Sequence, residues 1–261
     1  MVKLKKETIA ITDCKVSYQR GGTGEILLYL HGAGGSANSI PFLEDLAENF
    51  DVILPDHPGF GDSEDPEWLD NIHDTAYFYL DFMDALDLNR VHVMGSSLGG
   101  WIALEIAIRS IERFATLTLM NSAGLNVPGV KKGDLFMWDA STRICKLVYD
   151  QSLADKILGI KTTEKAAAIA IKNEFTTARL GWEPRFFDPN LHKWLHRIDV
   201  PTLVVWGEND NLFPVPYGEK LRASIPGARL ELIKECGHIP YLEHPEQLKS
   251  LISDFLSGAE S

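Results

Sequence analysis

The feature that most constrains the fold is a turn, Gly-Ser-Ser-Leu-Gly-Gly at residues 95–100, between two apolar segments. Residues 91–94, Val-His-Val-Met, are typical of a buried strand, and residues 101–107 have a helical pattern. A Gly-x-Ser-x-Gly sequence in this context predicts a sharp strand-to-helix turn, because glycines allow the strained backbone that such a turn needs. The turn would expose the hydroxyl of Ser97 above the end of a sheet. An ordinary strand-to-helix connection is the alternative.

Short apolar or β-branched runs alternate with helical patterns along most of the chain. This alternation predicts a mostly parallel sheet with helices on both faces. Two strands, near residues 8–12 and 15–19, are expected to open the sheet. Helices are expected at residues 40–49, 73–86 and 246–256.

The alternation stops after Gly124 and resumes near Arg197. The intervening stretch has helical patterns at residues 146–158 and 163–179 but no convincing strand. A crossover between parallel strands needs far fewer residues, so we expect a helical insertion. One or two ordinary packing helices are the alternative. The expected domains are a core of residues 1–124 and 197–261 and an inserted cap of residues 125–196.

A serine hydroxyl is a weak nucleophile at neutral pH, so Ser97 would need a histidine to take its proton and a carboxylate to orient that histidine. Asp210 follows an apolar, strand-like segment and is expected just beyond the carboxyl end of a strand. His238 is expected on the loop after the next strand, residues 229–233. Hydrolases built on this turn carry the acid and then the histidine after the serine, as here. Glu208 is the nearest alternative to Asp210.

With these residues in place, the chain resembles the α/β-hydrolase family over nearly its whole length. Besides the turn at Ser97, the motifs that carry the resemblance are His-Gly-Ala-Gly-Gly at residues 31–35, Asp-His-Pro-Gly-Phe-Gly-Asp-Ser at 56–63, Trp-Gly-Glu-Asn-Asp at 206–210 with Pro214, and Gly-His-Ile-Pro at 237–240 with Glu243 and Pro245. The resemblance implies an α/β-hydrolase fold, with a mostly parallel eight-stranded sheet flanked by helices and a helical cap between strands 6 and 7.

The resemblance also implies a catalytic triad: Ser97 as nucleophile, His238 as general base and then acid, and Asp210 as the orienting carboxylate. Some relatives carry the acid after the sixth strand instead. This chain has Asn121 and Ser122 there and no carboxylate, which favours Asp210.

Attack on a carbonyl creates an oxyanion, which needs hydrogen-bond donors already in position. The backbone N–H of Leu98, which follows the nucleophile, is one expected donor. The family pattern points to the N–H of Ala33 as the second donor of this oxyanion hole. The glycine-rich loop could instead hold phosphate, but it lacks the Gly-Lys-Ser/Thr ending and the dinucleotide-binding pattern. Nucleotide binding is therefore not expected.

The inserted segment is rich in large apolar side chains and is expected to set the choice of substrate. A cap and a sheet that enclose a cleft would line it with such residues. Trp138 and Trp182 are the candidates for substrate contacts. Arg179, or alternatively Arg185, is the candidate partner for a substrate carboxylate.

The function that the residues favour is hydrolysis of a carboxylic ester by a serine esterase, through an acyl-enzyme. The apolar cap suggests a small to medium, partly hydrophobic substrate.

Two alternatives remain open. The first is the family's carbon–carbon hydrolases, which open ring-fission products of aromatic catabolism and to which Cys-Gly-His at residues 236–238 is similar. Those enzymes usually carry Asn and Met around the serine, where this chain has Ser96 and Leu98, and Trp after the histidine, where it has Ile239. The second alternative is a receptor that binds a ligand on this fold without turnover.

The formal net charge of −12 argues against partners such as nucleic acid and anionic membrane surfaces, since both would repel the chain. Three scattered cysteines do not form a disulfide framework or a zinc-ligand pattern, so no metal and no cofactor is expected. The N-terminal residues lack the apolar core of a signal peptide, and a cytoplasmic location is expected. The sequence leaves open whether the protein is a monomer or a homodimer.

Overall fold

Eight strands form one sheet in the computed structural model, which describes residues 2–258. The strands are β1 (Lys5–Ile11), β2 (Cys14–Gly21), β3 (Ile26–Leu30), β4 (Asp51–Pro55), β5 (Val91–Ser96), β6 (Phe114–Met120), β7 (Thr202–Gly207) and β8 (Arg229–Ile233). Their order across the sheet is β1-β2-β4-β3-β5-β6-β7-β8. The pairs β1–β2 and β2–β4 are antiparallel, and the other five are parallel. The predicted sheet, mostly parallel and opened by two strands, is confirmed.

The helices are α1 (Ile40–Leu46), α2 (Ile72–Ala85), α3 (Leu98–Ala107), α4 (Ala140–Leu147), α5 (Gln151–Leu158), α6 (Glu164–Gly181), α7 (Pro216–Ser224), α8 (Pro240–Glu243) and α9 (Pro245–Gly258). The helices predicted at residues 40–49, 73–86 and 246–256 correspond to α1, α2 and α9. No helix in the described part of the chain is long and apolar enough to cross a bilayer.

Two hydrophobic layers lie on opposite faces of the sheet. Leu28 of β3 and Val93 of β5 belong to one layer, which also contains buried side chains of α2 and α3. Leu27 and Met94, their neighbours along the same strands, belong to the other layer with side chains of α1 and α9. Side chains alternate between the two faces of a strand, so a parallel sheet covered on both sides needs apolar residues at nearly every position. This requirement explains the continuous apolar runs in the sequence.

The register of the parallel strands aligns the ends that carry the candidate site. Gly95 of β5 pairs with Leu30 of β3, and Ser96 pairs with Met120 of β6. Residues that follow these strands therefore emerge at one edge of the sheet, where parallel sheets bind their ligands.

Three α-helices, α4, α5 and α6, lie between β6 and β7, followed by two short 3-10 helices. The prediction of one helix over residues 146–158 is wrong, because α4 ends at Leu147 and α5 begins at Gln151. Val148 is extended, and the side chain of Asp150 accepts a hydrogen bond from the backbone N–H of Ser152 as the N-cap of a new helix. An aspartate that can cap a helix favours a start over a continuation. The helix predicted over residues 163–179 is α6.

Candidate active site

Ser97 occupies the turn between β5 and α3 with a φ of +54° and a ψ of −114°. This conformation is strained for a residue with a side chain, and it persists because close packing leaves no alternative. A Cβ atom on Gly99 would lie 2.0 Å from the carbonyl oxygen of Leu30, and one on Gly95 would lie 2.5 Å from the carbonyl oxygen of Gly99. The glycines of the motif are therefore needed to bring the helix this close to the sheet.

The structure brings Ser97, His238 and Asp210 together in one chain of hydrogen bonds. Nε2 of His238 lies 2.9 Å from Oγ of Ser97, and Nδ1 lies 2.8 Å from Oδ2 of Asp210. A carboxylate can only accept, so Nδ1 carries the proton, and Nε2 is left with the lone pair that can accept from the serine hydroxyl. Only 4% of Asp210 and 5% of His238 are exposed to solvent. This geometry can convert the serine into a nucleophile.

Asp210 is fixed by several donors besides the histidine. Its Oδ1 accepts from the backbone N–H groups of Leu212, at 2.7 Å, and Phe213, at 3.0 Å. Its Oδ2 accepts from Nδ2 of Asn121 at 2.7 Å. Glu208, the alternative considered from the sequence, has an exposed side chain.

Sequence reasoning missed Asn121 as a member of the site. Asn121 is fully buried, has a φ of +44° and directly follows β6, whose end lies beside that of β7. A buried amide at the end of a strand adjacent to the acid-bearing strand is a signal that could have identified it, since buried polar groups need partners.

The loop that carries His238 is held by the inserted helices. The backbone N–H of His238 donates to the carbonyl oxygen of Leu147, at the end of α4, over 2.7 Å. Glu243 accepts from the backbone N–H of Gly237 at 2.8 Å and from that of Tyr149 at 2.6 Å. The Glu243 carboxylate thus joins the histidine loop to the connection between α4 and α5.

Of the two predicted oxyanion donors, Leu98 directly follows Ser97, and Ala33 lines the same cavity as Ser97. The N–H of Leu98 is at the first turn of α3, where helical N–H groups lack intrahelical partners. The Gly32 carbonyl oxygen accepts from the backbone N–H of Gly35 at 3.0 Å and lies 2.7 Å from Nδ1 of His31. In a trans peptide the N–H points away from the preceding carbonyl, so these contacts set the direction of the Ala33 N–H.

His31 and His57 form a buried stacked pair beneath this loop, with ring centroids 3.7 Å apart. The backbone N–H of His57 donates to Nε2 of His31 at 3.2 Å, so Nδ1 of His31 carries the proton that binds Gly32. Nε2 of His57 lies 2.9 Å from the carbonyl oxygen of His31, and its Nδ1 faces the Tyr79 hydroxyl. Burial lowers the pKa of both rings, so the pair is neutral and braces the loop.

A cavity of about 500 Å³ opens above Ser97 and His238. Its wall contains Ala33, Leu135, Phe136, Arg143, Ile144, Leu147, Ile171, Phe175, Trp182, Leu212 and Ile239. Trp182, one of the three cap residues predicted to contact substrate, lines this cavity. Trp138 and Arg179, the other two predicted contacts, are not among the described residues that line it. Trp138 packs its ring against Gly133 instead, and Arg179 is drawn to the carboxylate of Asp65 at 2.8 Å.

A second cluster joins His73, Glu105 and Asp188, whose ligand-type atoms lie within 4.8 Å of one another. The guanidinium of Arg109 already bonds to two of these groups. Its Nη1 lies 2.6 Å from Oε2 of Glu105, and its Nη2 lies 2.9 Å from Nδ1 of His73. Since a guanidinium only donates, Nδ1 of His73 accepts, and the ring proton is on the Nε2 that faces Asp188. No ring lone pair remains for a metal, so the cluster is a structural ion network.

Comparison with known proteins gives one family and a consistent group of relatives. The model of the "Alpha/beta hydrolase family" matches residues 27–251. A 2-hydroxy-6-oxo-6-phenylhexa-2,4-dienoate hydrolase of Burkholderia cepacia is 30% identical, over 95% of this chain and 93% of the relative. A 2-hydroxy-6-oxononadienedioate/2-hydroxy-6-oxononatrienedioate hydrolase of Pseudomonas putida is 31% identical, over 94% of this chain and 92% of the relative's chain.

The solved structures that are similar to the chain include a bacterial membrane phospholipase A. It superposes with a TM-score of 0.84 at 26% identity, over 99% of this chain and 87% of the phospholipase chain. A fold similar to that of this chain therefore occurs in a protein named a phospholipase A, whereas the sequence relatives are named as hydrolases of 6-oxo acids.

Proposed function

The chain belongs to the alpha/beta hydrolase family, and on that premise we propose that it is a serine hydrolase with Ser97 as nucleophile, His238 as general base and acid, and Asp210 as the carboxylate that orients His238. The observation that carries this proposal is the hydrogen-bonded chain of these three side chains at the base of a cavity. Residues 125–196, which supply much of the cavity wall, act as a cap over it.

The geometry supports a two-stage reaction. Ser97 Oγ attacks the substrate carbonyl while Nε2 of His238 takes the hydroxyl proton, and the oxyanion accepts from the N–H groups of Ala33 and Leu98. Collapse of this intermediate breaks the bond to the leaving group, which takes the proton from His238. Water then attacks the acyl-enzyme with the same histidine as base, and Ser97 is regenerated.

Among substrate classes, we propose vinylogous diketones of the ring-fission type, in which a carbon–carbon bond is cleaved. The similarity to relatives whose names specify 6-oxo dienoates supports this choice over the ester expected from the sequence alone. Breaking a carbon–carbon bond requires a leaving carbon that can hold an electron pair. In a conjugated diketone the pair is delocalised into the second carbonyl, and His238 can then protonate the carbon.

Arg143 on α4 supports an acidic substrate. It lines the cavity, and one of its terminal nitrogens lies 2.6 Å from Oε1 of Glu174. Its Nε is buried and has no hydrogen-bond partner among the residues that the structure describes. A buried N–H without a partner is costly, and a substrate carboxylate would satisfy it. The apolar side chains around Arg143, including Phe136 and Ile144, would enclose the rest of such a molecule.

Ester hydrolysis is the second candidate, and specific residues favour it. Ser96, Leu98 and Ile239 stand where the carbon–carbon hydrolases usually carry Asn, Met and Trp. The similarity to a phospholipase A over nearly the whole chain points the same way. An ester needs the same nucleophile, base and oxyanion donors, and differs only in that the leaving oxygen takes the proton.

A paired assay of the wild type and Ser97→Ala decides between these reactions. The substrates are p-nitrophenyl esters of increasing acyl length and one aryl ring-fission dienoic acid. We expect a higher kcat/KM for the dienoic acid, and loss of both activities in Ser97→Ala. Ester cleavage that depends on Ser97, without cleavage of the dienoic acid, would make the protein an esterase. Turnover that survives in Ser97→Ala would refute the proposed nucleophile, and binding without turnover would favour a receptor.

A further inference from the structure

The inward face of α6 carries three buried polar side chains, Asn173, Thr176 and Thr177. Positions of this kind are usually apolar in a helix that packs on a core. Here each side chain bonds to a backbone group of a loop beneath it, as buried polar groups require. The face therefore docks α6 through hydrogen bonds to defined loop atoms.

Asn173 joins two loops of the core. Its Nδ2 donates to the carbonyl oxygen of Gly34 at 3.3 Å, and its Oδ1 accepts from the backbone N–H of Gly61 at 2.9 Å. Exchange of the amide's nitrogen and oxygen would set donor against donor and acceptor against acceptor, so its orientation is fixed. A Cβ atom on Gly35, where φ is +89°, would lie 2.5 Å from Nδ2. The loop backbone is thus shaped to receive this amide.

The hydrogen bonds from α6 continue along the loop that follows β3. Thr177, one turn after Asn173, donates from its hydroxyl to the carbonyl oxygen of Ala33 at 3.4 Å. Three successive carbonyls of this loop, those of Gly32, Ala33 and Gly34, accept hydrogen bonds from groups outside their own peptides. Because peptide units are planar, fixing these carbonyls fixes the N–H groups between them, including that of Ala33.

We propose that Asn173 is a positioning residue, which couples the docking of α6 to the orientation of the Ala33 N–H. This inference rests on the proposed function, in which that N–H stabilises the oxyanion. Asn173 acts through the carbonyl of Gly34, and Thr177 assists through that of Ala33. With α6 docked, the loop is fixed and the oxyanion donor is in place before reaction, as electrostatic stabilisation requires.

The coupling has a kinetic consequence that distinguishes it from a packing role. The oxyanion forms only after attack, so a misplaced donor raises the barrier to acylation and leaves binding of the uncharged carbonyl nearly unchanged. Loss of the Asn173 contact should therefore lower kcat with little effect on KM. A contact that only stabilises the fold would lower the unfolding temperature and leave kcat of the folded protein unchanged.

The test compares Asn173→Asp with Thr176→Val in the full chain. Asn173→Asp keeps an acceptor for the Gly61 N–H. It replaces the donor to the Gly34 carbonyl with a second oxygen, which repels that carbonyl. Thr176→Val is the matched control, because it removes only the hydrogen bond to the Gly59 carbonyl, 2.7 Å long, from the same face of α6.

The readouts are kcat and KM for a p-nitrophenyl ester, the unfolding temperature, and the rate at which a fluorophosphonate labels Ser97. In that reaction the phosphoryl oxygen requires the same donors, fluoride leaves, and the true substrate need not be known.

We expect Asn173→Asp to reduce both kcat and the labelling rate by about tenfold to a hundredfold. This reduction is no larger than the one that removal of an oxyanion donor typically causes. Thr176→Val should stay within about twofold of the wild type on both measures. Equal labelling rates for Asn173→Asp and the wild type, or equal losses in both variants, would overturn the inference. If Asn173→Asp does not fold, Thr177→Val replaces it in the test. Thr177→Val should lower kcat by less than the fall expected for Asn173→Asp, and Thr177→Ser should restore kcat. Wild-type kcat in Thr177→Val would overturn the inference.

The two proposals fail in different ways in this experiment. If the wild type is not labelled at Ser97, the proposed function fails and the inference fails with it. If Ser97 is labelled and Asn173→Asp reacts at the wild-type rate, the inference alone fails.

Discussion

The side-chain amide of Asn121 donates to Oδ2 of Asp210 over 2.7 Å, and the same oxygen lies 2.8 Å from Nδ1 of His238. One carboxylate oxygen therefore accepts hydrogen bonds from a residue after β6 and from a residue after β8. The residue after β6 stands where some relatives carry the acid itself. In this chain that position supplies a donor to the carboxylate of Asp210, which follows β7, so residues after two neighbouring strands, Asn121 and Asp210, are joined in the hydrogen bonds that reach His238.

We expect Asn121→Leu to lower kcat by about tenfold or more, because a hydrogen bond to a charged group contributes about 1.5–3 kcal/mol. The buried carboxylate would lose one donor and orient His238 less well. Steady-state kinetics and urea unfolding measure the two effects. Ser122→Ala, a change at the next position whose hydroxyl faces the Ala123 carbonyl, is the control and should leave kcat nearly unchanged. Wild-type kcat in Asn121→Leu would contradict the role of the amide.

Replacement of the acid gives a sharper test of the triad. Asp210→Asn should reduce kcat by about three to four orders of magnitude at neutral pH, because an amide cannot hold the histidine in the required tautomer. Glu208→Gln is the matched control, since that side chain is exposed and should not affect the reaction. Kinetics on both variants with one substrate decide the assignment. A large loss in Glu208→Gln and a small loss in Asp210→Asn would transfer the role to Glu208.

Arg143→Met tests whether the substrate carries a carboxylate. Methionine keeps most of the apolar length of the side chain but removes the charge, so kcat/KM for a dienoic acid should fall by about tenfold to a hundredfold. Neutral p-nitrophenyl esters should be cleaved at nearly the wild-type rate. Arg185→Met is the control, because this arginine stacks on Trp182 and pairs with Asp134. Equal effects of Arg143→Met on acidic and neutral substrates would exclude carboxylate recognition by Arg143.

The sequence predicts the parts of this molecule that depend on local patterns. The turn at Ser97 is recognisable because its glycines are close together in the sequence, even though the contact that excludes a side chain at Gly99 comes from the distant Leu30. Asp210 and His238 follow strands whose apolar runs are visible, so their meeting at one sheet edge follows from the topology. The cavity wall is different, because the direction of Arg179 depends on Asp65, a residue 114 positions away. Asn173 and Arg143 were missed for the same reason, since their partners lie on other elements.

The buried pair of His31 and His57 predicts how stability depends on pH. Burial holds the pKa of both rings below the unfolded value of about 6.5, so the unfolded chain binds more protons below that pH. The free energy of unfolding should therefore fall as the pH drops below about 6.5, by up to about 1.4 kcal/mol per pH unit for each ring, until the folded pKa values are reached. Carboxylates such as Asp62, whose pKa is lowered by Lys6, lose their contribution only at more acidic pH.

Urea unfolding between pH 7.5 and 5 measures this slope. His57→Gln retains a donor for the His31 carbonyl but cannot titrate, so it should remove about half of the slope that the pair contributes. His196→Gln is the control, because His196 is exposed and its replacement should leave the slope unchanged. A free energy of unfolding that is constant from pH 7 to 5 in the wild type would contradict a neutral buried pair. The same slope in His57→Gln would assign the pH dependence to other groups. The contacts by which His31 and His57 hold the loop after β3 would then not depend on the neutrality of these rings.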